Sequence, residues 1–273
     1  MMSRRRRWWW FAAPAAAVFL AFWLLPMVAL AWLGASPRDG RSAYLAILSH
    51  PAYWRSLLNT VALSLGATAA TLLLALPTGR FLAWHPVFPG RRLLMAMLTF
   101  PLAFPGVVVG FFIILMAGRQ GVFAALSKWL TGEPVVFAYG MAGLFLGYLY
   151  FSLPRAIGMV SAAAQGMDRS LLEAGRTLGA SAWRRFADIE LAALAPALAG
   201  AAAISFATSM GAFGTAFTLA ARIDVLPLTI YNEFTNYANI PVAAALSVFL
   251  GAASWAVMYA AHALGSARTG AAA

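Results

Sequence analysis

Charged residues divide this chain into six long runs that carry none: between Arg7 and Arg38, Arg55 and Arg80, Arg92 and Arg119, Glu133 and Arg155, Glu190 and Arg222, and from Phe234 to Ala267. Each is longer than the roughly 20 residues that cross a bilayer as an α-helix. Only helices or closed barrels satisfy every backbone polar group in hydrocarbon. The pattern predicts an all-α polytopic membrane protein with six transmembrane helices. No acid or base is expected deep within a span, which argues against a proton-coupled carrier.

One island of charge, Gly166 to Glu190, separates two of these runs. Met167, Leu171, Ala174 and Leu178 recur at helical spacing, with Arg169, Glu173 and Arg176 on other faces. Ser170 followed by Glu173 fits a capping box at the helix start. Gly179 falls where a helix end tolerates positive φ, and Ser181 can cap a second short helix carrying Trp183, Phe186 and Ile189. Helix, tight turn and helix make a compact element suited to docking against another protein.

Within the apolar runs, Pro14 and Pro26 predict kinks in the first span, and Pro101 and Pro105 predict kinked or broken helix in the third. The segment Pro101 to Gly110 frees carbonyls and removes side-chain bulk, which serves either close packing or a pathway-lining bend. Ser205, Thr208, Ser209, Gly211, Gly214, Thr215 and Thr218 form a small, hydroxyl-bearing stripe in the fifth span, open to the same two readings. After it, Tyr231, Asn232, Glu233, Asn236, Tyr237 and Asn239 suggest either an interfacial aromatic belt or an external mouth.

Composition narrows the class. With 63% hydrophobic residues, 10% charged residues and a mean hydropathy of +0.80, the chain is not a soluble globule. The net charge of +11 reads as an orientation signal, not as affinity for nucleic acid. With the N-terminus inside, Arg4 to Arg7, Arg80, Arg91, Arg92, Arg155, Arg169, Arg176, Arg184, Arg185 and Arg268 face the cytoplasm. Arg38, Arg41, Arg55, Arg119, Lys128 and Arg222 then face outward, thirteen cations against six. The island is thereby cytoplasmic, as are both termini. Arg4 to Arg7 with Trp8 to Trp10 form an expected interfacial anchor. The apolar stretch Trp8 to Leu33 exceeds a secretory signal core, so it reads as an uncleaved first helix. The expected organisation is a basic terminus at 1–10, a six-span domain at 11–265 that includes the loop 166–190, and a tail at 266–273.

Catalytic patterns are missing. Lys128 is the only lysine and lies between Ser127 and Trp129, so no phosphate-cradling GxxxxGK[ST] loop exists. His50, His85 and His262 are isolated, and there is no cysteine. The chain is expected not to be an enzyme.

Glu173-Ala174-Gly175, Gly179 after three residues, and Ile189-Glu190-Leu191 after nine more resemble the EAA loop of permease subunits of binding-protein-dependent type I ABC importers. That pattern runs E-A-A, three residues, G, nine residues, I-x-L-P. Gly175 replaces the second alanine, at about 1 kcal/mol of helix propensity, and Ala192 replaces the proline. The resemblance extends from about Asn59 onward.

It implies a MetI-like fold in the bacterial inner membrane and a coupling surface of Glu173, Ala174, Gly175, Leu178, Gly179, Ala180 and Ser181. Implied partners are an ABC ATPase dimer that binds ATP and Mg, a second permease subunit, identical or homologous, and a periplasmic solute-binding protein. The chain itself is expected to hold no cofactor or metal. Along the implied pathway lie Pro105, Gly110, Ser205, Thr208, Ser209, Gly211, Thr215, Tyr231 and Glu233. Pro101 to Gly110 is similar to the branch handling polyamines, ferric iron, sulfate, thiamine and aminoethylphosphonate. Leu226 to Tyr231 and Ala243 to Ser247 are similar to permeases for spermidine and putrescine, so the expected solute is a polyamine. Glu233 and Asp224 would favour a cation, though Arg222 adjoins them. The rival class, an ATP-independent secondary carrier, would need buried charge or an inverted repeat, and neither is visible.

Overall fold

The computed structural model describes residues 12–38, 41–219 and 223–270. Arg4 to Arg7, Trp8 to Trp10 and Arg222, and the side chains of Arg38, Arg41, His262 and Arg268, lie outside that description. In chain order the helices are α1 (Ala12–Ala35), α2 (Ala43–Ser49), α3 (Pro51–Trp84), α4 (Arg91–Thr99), α5 (Gly106–Ala117), α6 (Val122–Thr131), α7 (Met141–Gln165), α8 (Ser170–Thr177), α9 (Ala182–Met210), α10 (Phe213–Leu219), α11 (Leu226–Tyr231) and α12 (Ile240–Gly270). A two-residue antiparallel pair, β1 (Pro37–Arg38) and β2 (Arg41–Ser42), sets Pro37 opposite Ser42.

Among the described residues, six helical segments are long and apolar enough to cross a membrane: α1, α3, α5 with α6, α7, α9 and the first part of α12. The expected all-α, six-span architecture is met, but several boundaries move. The start of the third run is no part of a span; Arg91–Thr99 forms the amphipathic α4, whose Met95 and Leu98 pack on a core around Leu82 and Ile157. Pro101 and Pro105 break the chain as expected: a 3-10 turn spans Phe100–Ala103, and Phe104 and Pro105 are extended before α5 begins. In α1 a π-turn at Leu20–Leu24 ends two residues before Pro26. The fifth span also breaks. Gly211 ends α9, and α10 starts at Phe213.

The larger correction concerns Arg155. Taken as the end of the fourth apolar run, it lies inside α7, which continues through Ala156 to Gln165. At 1.5 Å per residue Arg155 is about 21 Å along the axis from Met141 and about 15 Å from Gln165. A boundary drawn at the charge fails because one arginine does not end a helix. The expectation that the fourth span ends at Arg155 is therefore wrong.

The chain forms two compact units. One comprises residues Met1–Leu57 and Leu226–Ala252; its core is Ala43, Ile47, Leu226, Val242, Ala245 and Leu246, flanked by Tyr44, Tyr53 and Leu57. The other comprises Leu58–Val225 and Ala253–Ala273. In it, Ala75, Leu82, Ala156, Ile157 and Ala201 form one core, Val109, Ile113, Ala117, Ala138 and Leu219 a second, and Ala83, Val160, Ala164 and Leu194 a third. Small residues recur at these contacts because close backbone approach, not water exclusion, drives helix association in lipid.

Candidate functional site

The charged loop is built by short-range signals. Asp168 Oδ1 accepts from the Ser170 backbone N–H at 2.9 Å, and the Asp168 carbonyl accepts from Leu171. Asp168 is therefore the residue that caps α8, and the expected Ser170 and Glu173 capping box is not formed. Ser170 lies inside the first turn, two residues past the carboxylate that reaches its amide. That bond favours the charged carboxylate and holds the Asp168 pKa below its ordinary value.

α8 ends in a Schellman motif. Ala180 N–H donates to the Gly175 carbonyl and Gly179 N–H to the Arg176 carbonyl, both at 3.0 Å, with Gly179 at φ +77°. The expected tight turn is present at the expected glycine. Ser181 Oγ then accepts from Arg184 N–H at 3.2 Å, as an N-cap should. What it caps is no separate short helix. Ala182–Arg184 passes through a π-turn, Arg185–Glu190, straight into Leu191–Met210, so this element is the first part of α9.

Gly175 is buried against that π-turn, and a Cβ built there would lie 2.9 Å from Ile189 Cδ1. Its departure from alanine matches a tight α8–α9 contact. Arg185 Nη1 donates to the Ala180 carbonyl at 2.7 Å and ties the turn down from the other side. Glu173 and Ala174 remain exposed, and so do two large apolar groups, Leu178 at 86% and Trp183 at 72%. Apolar tips on a polar loop mark a contact surface.

Below the loop lies an ion pair that the motif alone does not disclose. Arg80 Nη2, near the end of α3, stands 2.6 Å from Glu190 Oε2 without the alignment of a hydrogen bond. The arginine also lies over the rings of Phe186, at 4.7 Å, and Trp84, at 5.1 Å. Glu190 is buried and Arg80 largely so. A cavity of about 310 Å³ opens beside the pair, lined by Arg80, Trp84, Leu172, Glu173, Arg176, Ala182, Arg185 and Glu190. The available sequence signal was an acid inside the Ile189-Glu190-Leu191 string and an arginine, Arg80, within the last turns of the long apolar α3.

The proposed pathway residues separate into groups. Gly110 is closed by Thr218, whose Cβ would lie 2.5 Å from a Cβ at that position. Thr215 is buried, and its hydroxyl donates to the Gly106 carbonyl at 3.1 Å, tying α10 to the start of α5. Ser205 and Ser209 are buried. These residues pack α5 and α10 or the interior of α9. Thr208 and Gly211 lie on the open side, and Thr208 Oγ1 receives a 3.4 Å hydrogen bond from Arg155 Nη1.

Glu233 is 8% exposed and fully engaged. Tyr53 Oη donates to its Oε1 at 2.8 Å and Asn239 Nδ2 to its Oε2 at 3.1 Å. Its carboxylate joins the ends of α3 and α12, so it does not present negative charge to a passing solute. Tyr231 is half-buried beside it in sequence.

Residues 75–268 match the model of the binding-protein-dependent transport system inner membrane component family. The chain belongs to that family. This permease is 35% identical over 187 residues to the molybdenum transport system permease protein ModB of Escherichia coli (strain K12), covering 67% of this chain and 80% of that one. It is 29% identical over 236 residues to the sulfate transport system permease protein CysT of the same organism, covering 81% and 83%. To the thiamine transport system permease protein ThiP of Brucella suis biovar 1 it is 27% identical over 217 residues, 78% of this chain and 40% of that one. A crystal structure of a bacterial ABC transporter for the acidic polysaccharide alginate shares the fold, with TM-score 0.73, 21% identity and 96% of both chains covered.

The permease is accordingly an ABC importer subunit of the MetI-like fold, a multi-pass protein of the bacterial inner membrane. The polyamine expectation finds no support among these relatives. Its physical basis also weakens, because Leu226, Pro227, Ala243, Ala244, Ala245 and Leu246 are buried packing positions and Glu233 is internally paired. Those strings record how the helices pack and carry little about the solute.

Proposed function

We propose that this permease imports a tetrahedral oxyanion of the molybdate or sulfate type, driven by ATP hydrolysis in a partner subunit. The observation that carries the solute class is the 35% identity to a molybdenum permease over most of both chains. The 29% identity to a sulfate permease over a still longer stretch supports it.

In this reading, the chain supplies the passage and the lever, and a dimeric ABC ATPase supplies the power. Glu173, Ala174, Leu178, Ala180 and Ser181 form the docking surface, with Leu178 as the apolar tip. Gly175 and Gly179 shape it from behind. Force applied to α8 passes to α9 through the Gly175–Ile189 contact and the Schellman turn. The Arg80–Glu190 pair carries it on to α3. Because α9 has no break between the loop and Met210, displacement at Ser181 is delivered along the span. A second permease subunit, identical or homologous, completes the passage, and a periplasmic binding protein delivers the solute. The loop and both termini face the cytoplasm.

The test is calorimetry on the solute-binding protein that works with this permease, titrated in turn with molybdate, sulfate, thiamine and putrescine. Binding of molybdate or sulfate is the expected result. Binding of putrescine alone would return the polyamine reading.

A further inference from the structure

Arg155 is a cation placed where a membrane helix has a strong reason not to carry one. It is the only charged residue of α7, sits near the middle of that helix, and is exposed. About 15 Å of helix separates it from the nearer end of α7. Bare lipid is a costly neighbour for guanidinium.

Its surroundings are those of a polar passage. Thr208 Oγ1 on α9 accepts from Nη1 at 3.4 Å and itself donates to the Ile204 carbonyl at 2.7 Å, so the hydroxyl holds the guanidinium in place and does not neutralise it. Gly158, one turn along α7, has no atom within 4 Å of a built Cβ, and Gly211, one turn along α9, has only the Ala207 carbonyl of its own helix at 3.6 Å. The face is open where the arginine stands. Among the described acids, Glu133, Asp168, Glu173, Asp188 and Asp224 lie in connections or at the loop, while Glu190 and Glu233 are already engaged.

We propose that Arg155, positioned by Thr208, is an anion-contacting residue on the translocation path, taking a tetrahedral oxyanion by charge-assisted hydrogen bonds from its remaining N–H groups. The guanidinium fork matches two oxygens of such an anion, and a single contact of modest strength lets the ion leave as well as arrive. This rests on the oxyanion reading above and adds to it the place where the membrane subunit touches the solute.

The experiment uses the whole transporter with its binding protein in proteoliposomes and measures uptake of radiolabelled molybdate and sulfate. If the unmodified transporter imports neither, the oxyanion reading fails and the site falls with it. If it imports one, Arg155→Gln is expected to lower uptake about tenfold or more, Arg155→Lys to keep it within about threefold, and Thr208→Val to fall between. Wild-type uptake by Arg155→Gln overturns the site while leaving the oxyanion reading intact. So does an assembled Arg155→Lys transporter as impaired as Arg155→Gln. Failure of Arg155→Gln to assemble, where Arg155→Lys assembles, also overturns it, since the charge would then be holding subunits together.

Discussion

At Gly179 the backbone, not the space around it, sets the constraint. Its φ is +77° and no atom lies within 4 Å of a built Cβ, so any side chain fits but few backbones follow. Gly179→Val is expected to strain the turn by about 1–2 kcal/mol, leave membrane insertion and assembly intact, and uncouple the ATPase. Retention of full solute-stimulated ATP hydrolysis by the assembled variant would refute the coupling role. At Gly175 the reverse holds. The obstruction is the far end of the flexible Ile189, so Gly175→Ala should be tolerated, while Gly175→Leu should separate α8 from α9 and abolish transport. Asp168 gives a pH dependence. Its folded pKa is depressed, so its cap is present at neutral pH and lost as pH falls through and below the ordinary carboxylate range. Hydrogen exchange of the Ser170 amide, corrected for intrinsic rate, should show protection near neutrality that disappears in acid. Both glycine positions were legible, because a positive-φ turn and a helix end leave few residue choices. The cap was not: Asp168 and Ser170 are both competent acceptors, and only geometry selects which one reaches the amide.

On the scale of elements, the Arg80–Glu190 pair joins α3 to the π-turn that opens α9. Removing one partner strands a largely buried charge, and such losses run to about 3 kcal/mol. Arg80→Ala should lower the thermal midpoint of the purified complex. Arg80→Lys should rescue it only in part, because an ammonium stacks less well between Trp84 and Phe186 than a planar guanidinium. Equal stability of all three proteins would show that the pair does not brace the loop. The count of spans was legible from apolar run length alone. Their ends were not, because a run bounded by charges equals a helix only when the charges sit at its ends. Arg155 lies within α7, Pro101 and Pro105 split the third run, and Gly211 splits the fifth. The π-turn joining the loop to α9 leaves no mark in residue spacing, since Ser181 caps a long helix as readily as a short one.

Across the whole chain, the excess of arginine on alternate connections predicts a cytoplasmic loop and cytoplasmic termini. The chain has no cysteine, so single replacements report cleanly. Thr177→Cys should react with a membrane-impermeant maleimide only after the membrane is opened, and Glu133→Cys should react in intact spheroplasts. The opposite pattern would invert the topology. The solute class was the least legible property. Short strings near α11 and α12 suggested a polyamine, yet they are packing positions, and the one acid among the candidate path residues is consumed by Tyr53 and Asn239. The charge that favours an oxyanion, Arg155, was hidden as an apparent helix boundary. The most direct measurement is ATP-driven uptake by the reconstituted transporter with its binding protein, compared among molybdate, sulfate and putrescine. Accumulation of molybdate or sulfate that requires ATP is the predicted result; accumulation of putrescine, or uptake that proceeds without ATP, would contradict it.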